Sequence, residues 1–286
     1  MTALRKADRK KMSGYQDTGG NGMKELRGYQ GTAGGRMKEL GGHIKGEVWK
    51  MRHTLLPWMH VLIPLIGIGI FLLYFSFAAW SDEGKVSGYI QALSTALPLV
   101  ISAVCSISVE TEESGHFQTF LGTAVYRENP LFAKWIFLSG MGLGSVILAV
   151  TVFAAGYGMM TGRTVLSPRN SLILAVILWL GSGCTYLVHL FLNLAFSKTV
   201  SLCAGTAELL VSALFLTGLG EGRWQFFPCS WSGRWSGYLL LYWKGDGMIS
   251  AEYLIKSLKI CVMVIIIVWG IILWWFHFYE GKKRYD

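Results

Sequence analysis

Apolar residues are sparse over the first 42 positions and then gather into long runs that carry almost no charge. A helix needs ~20 apolar residues to cross the hydrocarbon core of a bilayer. Six stretches meet that requirement: Trp58–Trp80, Tyr89–Val109, Phe132–Tyr157, Ser171–Phe196, Val200–Leu219 and Leu258–Phe278. The pattern therefore predicts an all-α, polytopic membrane protein with six transmembrane helices. Pro57 opens the first span, where its missing N–H costs nothing, and Trp58 and Trp80 bracket that span at interface depth. Pro64 and Pro98 fall inside spans and are expected to kink them. Ahead of the first span, Ile44, Val48, Met51 and Leu55 recur on one helical face, with Lys45, Lys50 and Arg52 off it. That spacing predicts an amphipathic interfacial helix lying along the headgroup boundary.

Residues 1–42 read as a disordered, basic, Gly-rich tail, and residues 43–286 as the six-span domain. The tail contains a duplication: Gly14–Arg27 (GYQDTGGNGMKELR) and Gly28–Gly41 (GYQGTAGGRMKELG) agree at nine of fourteen positions. Two such units cannot bury a core, so a solenoid is excluded. The tail reads either as a basic arm touching anionic lipid or an acidic partner, or as an extension upstream of a start at Met23 or Met37. It lacks the apolar segment of a signal peptide.

Composition sharpens this picture. Of the 286 residues 52% are hydrophobic and 15% charged, against ~25% charged in soluble globular chains. The net charge is +9. With the tail excluded, Lys and Arg split nine to eight between the two sides in favour of cytoplasmic N- and C-termini. The five cysteines (Cys105, Cys184, Cys203, Cys229, Cys261) form no C-x-x-C pair and no spacing expected of a metal site, so neither a disulfide scaffold nor a metal centre is expected. There is no G-x-x-x-x-G-K-[ST], no H-E-x-x-H, no paired haem-ligand histidines and no base-stacking module for nucleic acid. The chain is not expected to be an enzyme on its own.

Three segments carry candidate chemistry. Between spans two and three, Glu110–Lys134 places Phe117, Phe120, Leu121 and Ala124 on one face, with Glu112, Glu113 and His116 elsewhere. It reads either as an exposed amphipathic helix docking a partner's groove or as an ordinary solvated loop. Within span five, Glu208 sits ~13 Å from the cytoplasmic end, and His189 on span four ~12 Å, with Asn193 one turn below. A short turn joins these spans, so Glu208 is predicted to meet His189 or Asn193. The cluster reads as an interhelical hydrogen bond in preference to a proton relay. Between spans five and six, residues 220–257 are dense in aromatics with Glu221, Trp224, Trp231 and Arg234 among them. They read either as an interfacial belt or as a surface for an amphiphilic ligand.

Two of these segments, with the start of the body, carry a family resemblance. The stretch Glu110–Lys134, with Gly115-His116-Phe117-Gln118 followed by Arg127 and Lys134, resembles the cytoplasmic coupling segment of ABC-2-type permeases. The stretch Leu216-Thr-Gly-Leu-Gly-Glu221, then Trp224, Pro228-Cys229, Trp231 and Arg234, is similar to the end of span five and the following loop in lantibiotic immunity permeases, as is Gly46–Gly67 (GEVWKMRHTLLPWMHVLIPLIG). The resemblance runs from about Met37 to the C-terminus and leaves out the duplicated tail. It implies a permease subunit in a bacterial plasma membrane that expels a lantibiotic or similar peptide antibiotic. It further implies a second, homologous permease subunit and two copies of an ABC ATP-binding subunit that binds the ATP and Mg, with no cofactor in this chain. Glu112, Gly115, Phe117 and Phe120 would then make the docking contact, and Glu221, Trp224, Trp231 and Arg234 would form the substrate loop. The alternatives are a general ABC-2 drug or lipid exporter, a proton-coupled secondary transporter using Glu208 and His189, and a structural membrane subunit.

Overall fold

A computed structural model describes residues 33–281 except 53, 116, 123 and 246–249. Its elements are α1 (Ala33–Met51), α2 (Leu56–Phe77), α3 (Asp82–Ser114), the single-turn α4 (Gln118–Leu121), α5 (Asn129–Thr161), α6 (Pro168–Ala195), α7 (Lys198–Phe215), α8 (Trp231–Lys244) and α9 (Ala251–His277), with three 3-10 turns between α7 and α8. Six of these, α2, α3, α5, α6, α7 and α9, are long and apolar enough to cross a membrane. The helices run through Pro64 and Pro98 without interruption. Serine hydroxyls start four of them: Ser81, Ser167, Ser197 and Ser250 each accept from the backbone N–H three residues on. Gly162 (φ 67°) and Gly245 (φ 77°) end α5 and α8 in the left-handed conformation that glycine adopts without strain.

Helices α3 and α6 form the centre. They pack on each other, on α7 and on α8, while α5 lies against α6 and α2. The stacked rings of Tyr89 and Phe153, 3.7 Å apart, and the Tyr89 hydroxyl bond to the Ala149 carbonyl join α3 to α5. Helix α9 lies at the edge and exposes Ile266, Ile267, Ile271 and Trp274, the apolar surface expected of a helix facing lipid. Both ends of the described chain lie on one face of the bundle, here the terminal face: Tyr279 meets Phe117, and α1 packs on α5.

Helix α7 is the short member of the bundle. It was expected to continue to Leu219 but ends at Phe215. A Cβ on Gly233 would strike both Leu216 and Ser94, and Ser94 lies roughly 18 Å along α3 from Asp82 at ~1.5 Å per residue. The chain therefore turns back well inside the bundle, and α8 climbs from there to the opposite face, where Lys244 pairs with Glu83 at 3.0 Å. The stretch 220–257, read from sequence as an interfacial aromatic belt or a ligand surface, contains the folded-back helix α8 packed on α6 and α3. Small residues admit it: the Ser232 hydroxyl donates to the Leu178 carbonyl at 3.0 Å, and Gly181 faces the Ser232 backbone directly.

The start of α1 is a second departure. The helix begins at Ala33, inside the stretch assigned to the tail, and the rest of the duplication lies outside the described residues. The apolar stripe Ile44–Val48–Met51–Leu55 is also split, because Met51 is fully buried while Val48 and Leu55 are exposed. Glu47 and Lys50 turn the helix so that their own face enters the bundle.

The glycines give a paired test of the α6–α8 contact. A Cβ at Gly181 would lie 2.6 Å from the Ser232 backbone nitrogen, whereas one at Gly183 meets only the edge of Trp135 at 3.9 Å. Gly181→Ala should therefore lower the thermal midpoint in detergent, by the equivalent of about 1–3 kcal/mol less any gain in helix propensity. Gly183→Ala should hold or raise it. Equal effects would place α8 elsewhere.

Candidate functional site

The terminal face is organised by four charges. Lys134, near the start of α5, is fully buried; its Nζ donates to Glu47 Oε2 (2.6 Å), Glu112 Oε1 (3.0 Å) and Ser108 Oγ (3.2 Å). Lys50 Nζ donates to the same Glu112 oxygen (2.7 Å) and to Glu47 Oε1 (2.9 Å). The result is a closed ring of alternating sign, Glu47–Lys134–Glu112–Lys50, that joins α1, α3 and α5 and sums to zero charge. Phe120 closes one side, with its ring centre 5.5 Å from Lys134 Nζ. Burial acts against the charge on Lys50, but Glu47 and Glu112 outweigh it and hold the ammonium above the ordinary lysine range. Its contribution to stability is complete below that range and is lost only as pH rises through the raised value, so the Lys50 corner does not titrate at physiological pH.

Sequence reading placed Glu112, Phe117 and Phe120 on an outward docking surface. The structure turns all three inward. Glu112 belongs to the ring, and Phe117 and Phe120 are buried at 4% and 2% exposure. Helix α3 stops at Ser114, and Phe117 adopts a left-handed backbone (φ 55°) as its N–H returns to the Glu112 carbonyl at 3.0 Å. That conformation is costly for a bulky residue, and it is offset by burial of the ring against Phe120 and Tyr279, while Phe120 packs on Phe276. One turn of α4 is too short to hide an apolar face by itself, so the rings fold back onto the end of α9. Gly115 stays exposed, together with Ser114, Gly122, Val125 and Arg127.

The loop after α4 is tied down as well. Glu39 Oε1 accepts from the N–H groups of Val125 (2.9 Å) and Tyr126 (3.2 Å), and the Asn129 amide donates to the Arg36 carbonyl (3.3 Å). Arg36 lies over the Tyr126 ring and pairs with Glu128. Arg127 donates to the Tyr279 carbonyl at 2.8 Å. Glu39 and Glu47 were not singled out from sequence, and Lys134 was named only as part of the segment before span three, not as a partner of Glu112. Lys134 offered a signal, as a lone cation followed by Trp135, Ile136 and Phe137.

Within the spans, the structure brings Glu208 and His189 together. His189 Nε2 is 3.2 Å from Glu208 Oε2, His189 Nδ1 is 3.0 Å from Ser201 Oγ, and the Asn193 amide donates to Ser201 Oγ and to the His189 carbonyl. All four groups are satisfied if Ser201 donates to Nδ1 and Nε2–H donates to the carboxylate. His189, Asn193 and Ser201 are buried, while the Glu208 side chain is a quarter exposed.

The four residues of the presumed substrate loop are placed less openly than their sequence position suggests. Trp224 is fully buried and Trp231 nearly so, each fixed by a hydrogen bond: Trp224 Nε1 to Tyr253 Oη and Trp231 Nε1 to the Gln225 carbonyl. Arg234 donates to the carbonyls of Phe215 (2.6 Å) and Thr217 (2.7 Å). It thereby caps the end of α7, whose last carbonyls have no helical partners. Glu221 receives the Tyr253 hydroxyl at 2.6 Å and pairs with Arg234, but more than half of its side chain is exposed. Among the described residues no three His, Cys, Asp or Glu side chains converge as a metal site would require. Compared with protein families, curated proteins and solved structures, the chain matches none.

The ring makes a stability prediction with its own control. Lys134→Met leaves two buried carboxylates sharing one partly exposed lysine, and should cost about 3–5 kcal/mol. Adding Glu47→Met removes the excess negative charge, so the double variant should melt above the single one. A double variant that melts lower still would show that the four groups do not act as a charge-balanced unit.

Proposed function

We propose that the chain is the membrane-spanning permease subunit of an ABC-2-type exporter, that its substrate is a lantibiotic or similar peptide antibiotic, and that the terminal face is cytoplasmic. The observation that carries this reading is the bracing of the α3–α5 connection. The ring, Glu39 and the Phe117–Phe120–Tyr279 cluster fasten one exposed loop to α1, α3, α5 and the end of α9. A push on the exposed rim at Gly115, Gly122 and Val125 is thus delivered to several helices at once. This is what a permease that contains no P-loop requires of its contact with an ATP-binding partner, which supplies ATP and Mg binding. In this account Gly115 belongs to the docking rim, and Glu112, Phe117 and Phe120 are positioning residues behind it.

Two further features support the reading. The outer side of α1 exposes Lys45, Val48 and Trp49, with Arg52 exposed just past its end, a mixture suited to the anionic headgroup layer. Beside the end of α7, Glu221 exposes a carboxylate next to an aromatic element, a combination that draws a cationic amphiphile. A second reading, a proton-coupled transporter, draws on the Glu208–His189 contact.

Mild-detergent purification of the full chain bearing Val125→Cys, followed by cross-linking, tests the proposal. A P-loop ATPase cross-linked through position 125, recovered with a second six-span permease, is the expected result. A chain recovered alone, with uptake or efflux that follows a proton gradient and fails in Glu208→Gln, would favour the second reading. Protection of cells against a lantibiotic, but not against unrelated amphiphiles, is expected of the peptide exporter.

A further inference from the structure

A slot of about 140 Å³ lies between α2, α3 and α5, walled by Pro64, Gly67 and Phe71 on one side and by Tyr89, Leu97 and Ala149 on the other. No charged side chain lines it. The Tyr89 hydroxyl is already committed to the Ala149 carbonyl at 3.0 Å. Ser145 is the one other hydroxyl in the lining, too few partners for the two to four bonds a buried water makes, and apolar cavities of roughly this size stay dry and accept benzene-sized apolar guests. The walls explain why the space stays open. Pro64 and Gly67 put little bulk on α2, a Cβ built on Gly67 meets nothing within 4 Å, and Ala92, Ala96 and Ala149 face it from α3 and α5.

Depth identifies the guest. Along the 33-residue α3, Tyr89 lies ~10 Å and Val100 ~27 Å from Asp82, on a helix long and apolar enough to cross the membrane. Next to the slot, α2 exposes Leu62, Ile66 and Ile70, so chains of the bilayer run beside it. Lys85 shares a face of α3 with Tyr89, one turn nearer Asp82, with its ammonium 3.0 Å from the Phe75 carbonyl. It sets a cation at the depth where the phosphate of a lipid whose chain enters the slot would lie.

We propose that this slot is a binding site for one acyl chain of a membrane phospholipid, held between α2 and the α3–α5 pair. The site is independent of the exporter reading, and its test does not require transport. The full-length protein is placed in bilayers containing a phospholipid with a photoactivatable diazirine in mid-chain, irradiated, and mapped by peptide mass spectrometry. Adducts should concentrate on residues 63–71 and 89–100 relative to the exposed α9 face at Ile266 and Ile267. In Gly67→Leu, whose side chain extends into the open space, slot labelling should fall to the α9 level while α9 labelling stays the same. Ala96→Leu fills the slot from the other wall and gives the same readout if Gly67→Leu does not fold. Labelling of the slot no stronger than that of α9, or unchanged in a folded filling variant, overturns the proposal.

Discussion

Lys134 is enclosed by protein, and the rest of the terminal face is arranged so that its charge is tolerated there. An ammonium in that position demands carboxylates, and two reach it from different elements, Glu47 from α1 and Glu112 from α3. Two carboxylates on one lysine would leave an excess negative charge, which Lys50 balances by bonding both. Buried ion pairs contribute little net stability, because desolvation consumes most of the attraction. What they do supply is geometry: α1 can dock in only one rotation about its axis, the one that delivers Glu47 and Lys50 inward. That rotation exposes Val48 and Trp49, buries Met51, and brings Glu39 to the N–H groups of Val125 and Tyr126.

The opposite half of the bundle answers a different constraint. Helix α7 is 18 residues long and stops short of the start of α3, and its last carbonyls, which lack helical partners, take donors from the protein. Arg234 supplies them, and it does so from a helix that re-enters the bundle through Gly181, Ser232 and Gly233. The aromatic wealth of this segment then has a structural use. Trp224, Trp235 and Tyr238 meet edge to face, and the Trp224 Nε1–H donates to the Tyr253 hydroxyl on α9. Packing of this kind leaves Glu221 as the member of the segment's sequence-assigned set that faces outward.

Much of the fold was legible in the sequence because apolar length is a strong signal. Every one of the six expected spans overlaps a helix long enough to cross a membrane. The Glu208–His189 contact was legible for a related reason: a short turn fixes two spans as neighbours, and helical rise fixes depth. The orientation of Phe117 and Phe120 was not, because a one-turn helix has no face of its own and takes its direction from α9, more than a hundred residues away. The same holds for the ring. Glu47, Lys50, Glu112 and Lys134 look like ordinary flanking charges until three distant elements are brought together. The re-entrant segment escaped because the small residues that admit it, Gly181 on α6 and Gly233 on α8, have no periodicity to mark them.

The account's central claim is that the four-charge ring holds α1 and the α3–α5 loop as one unit. Hydrogen exchange of the full chain bearing Lys134→Met, compared with the parent, tests it most directly. Faster exchange is expected together in the α1 amides around Glu39–Met51 and in those around Phe117–Glu128, with α6 and α9 unchanged at mid-span. Protection lost only beside position 134, with α1 still protected, would contradict it.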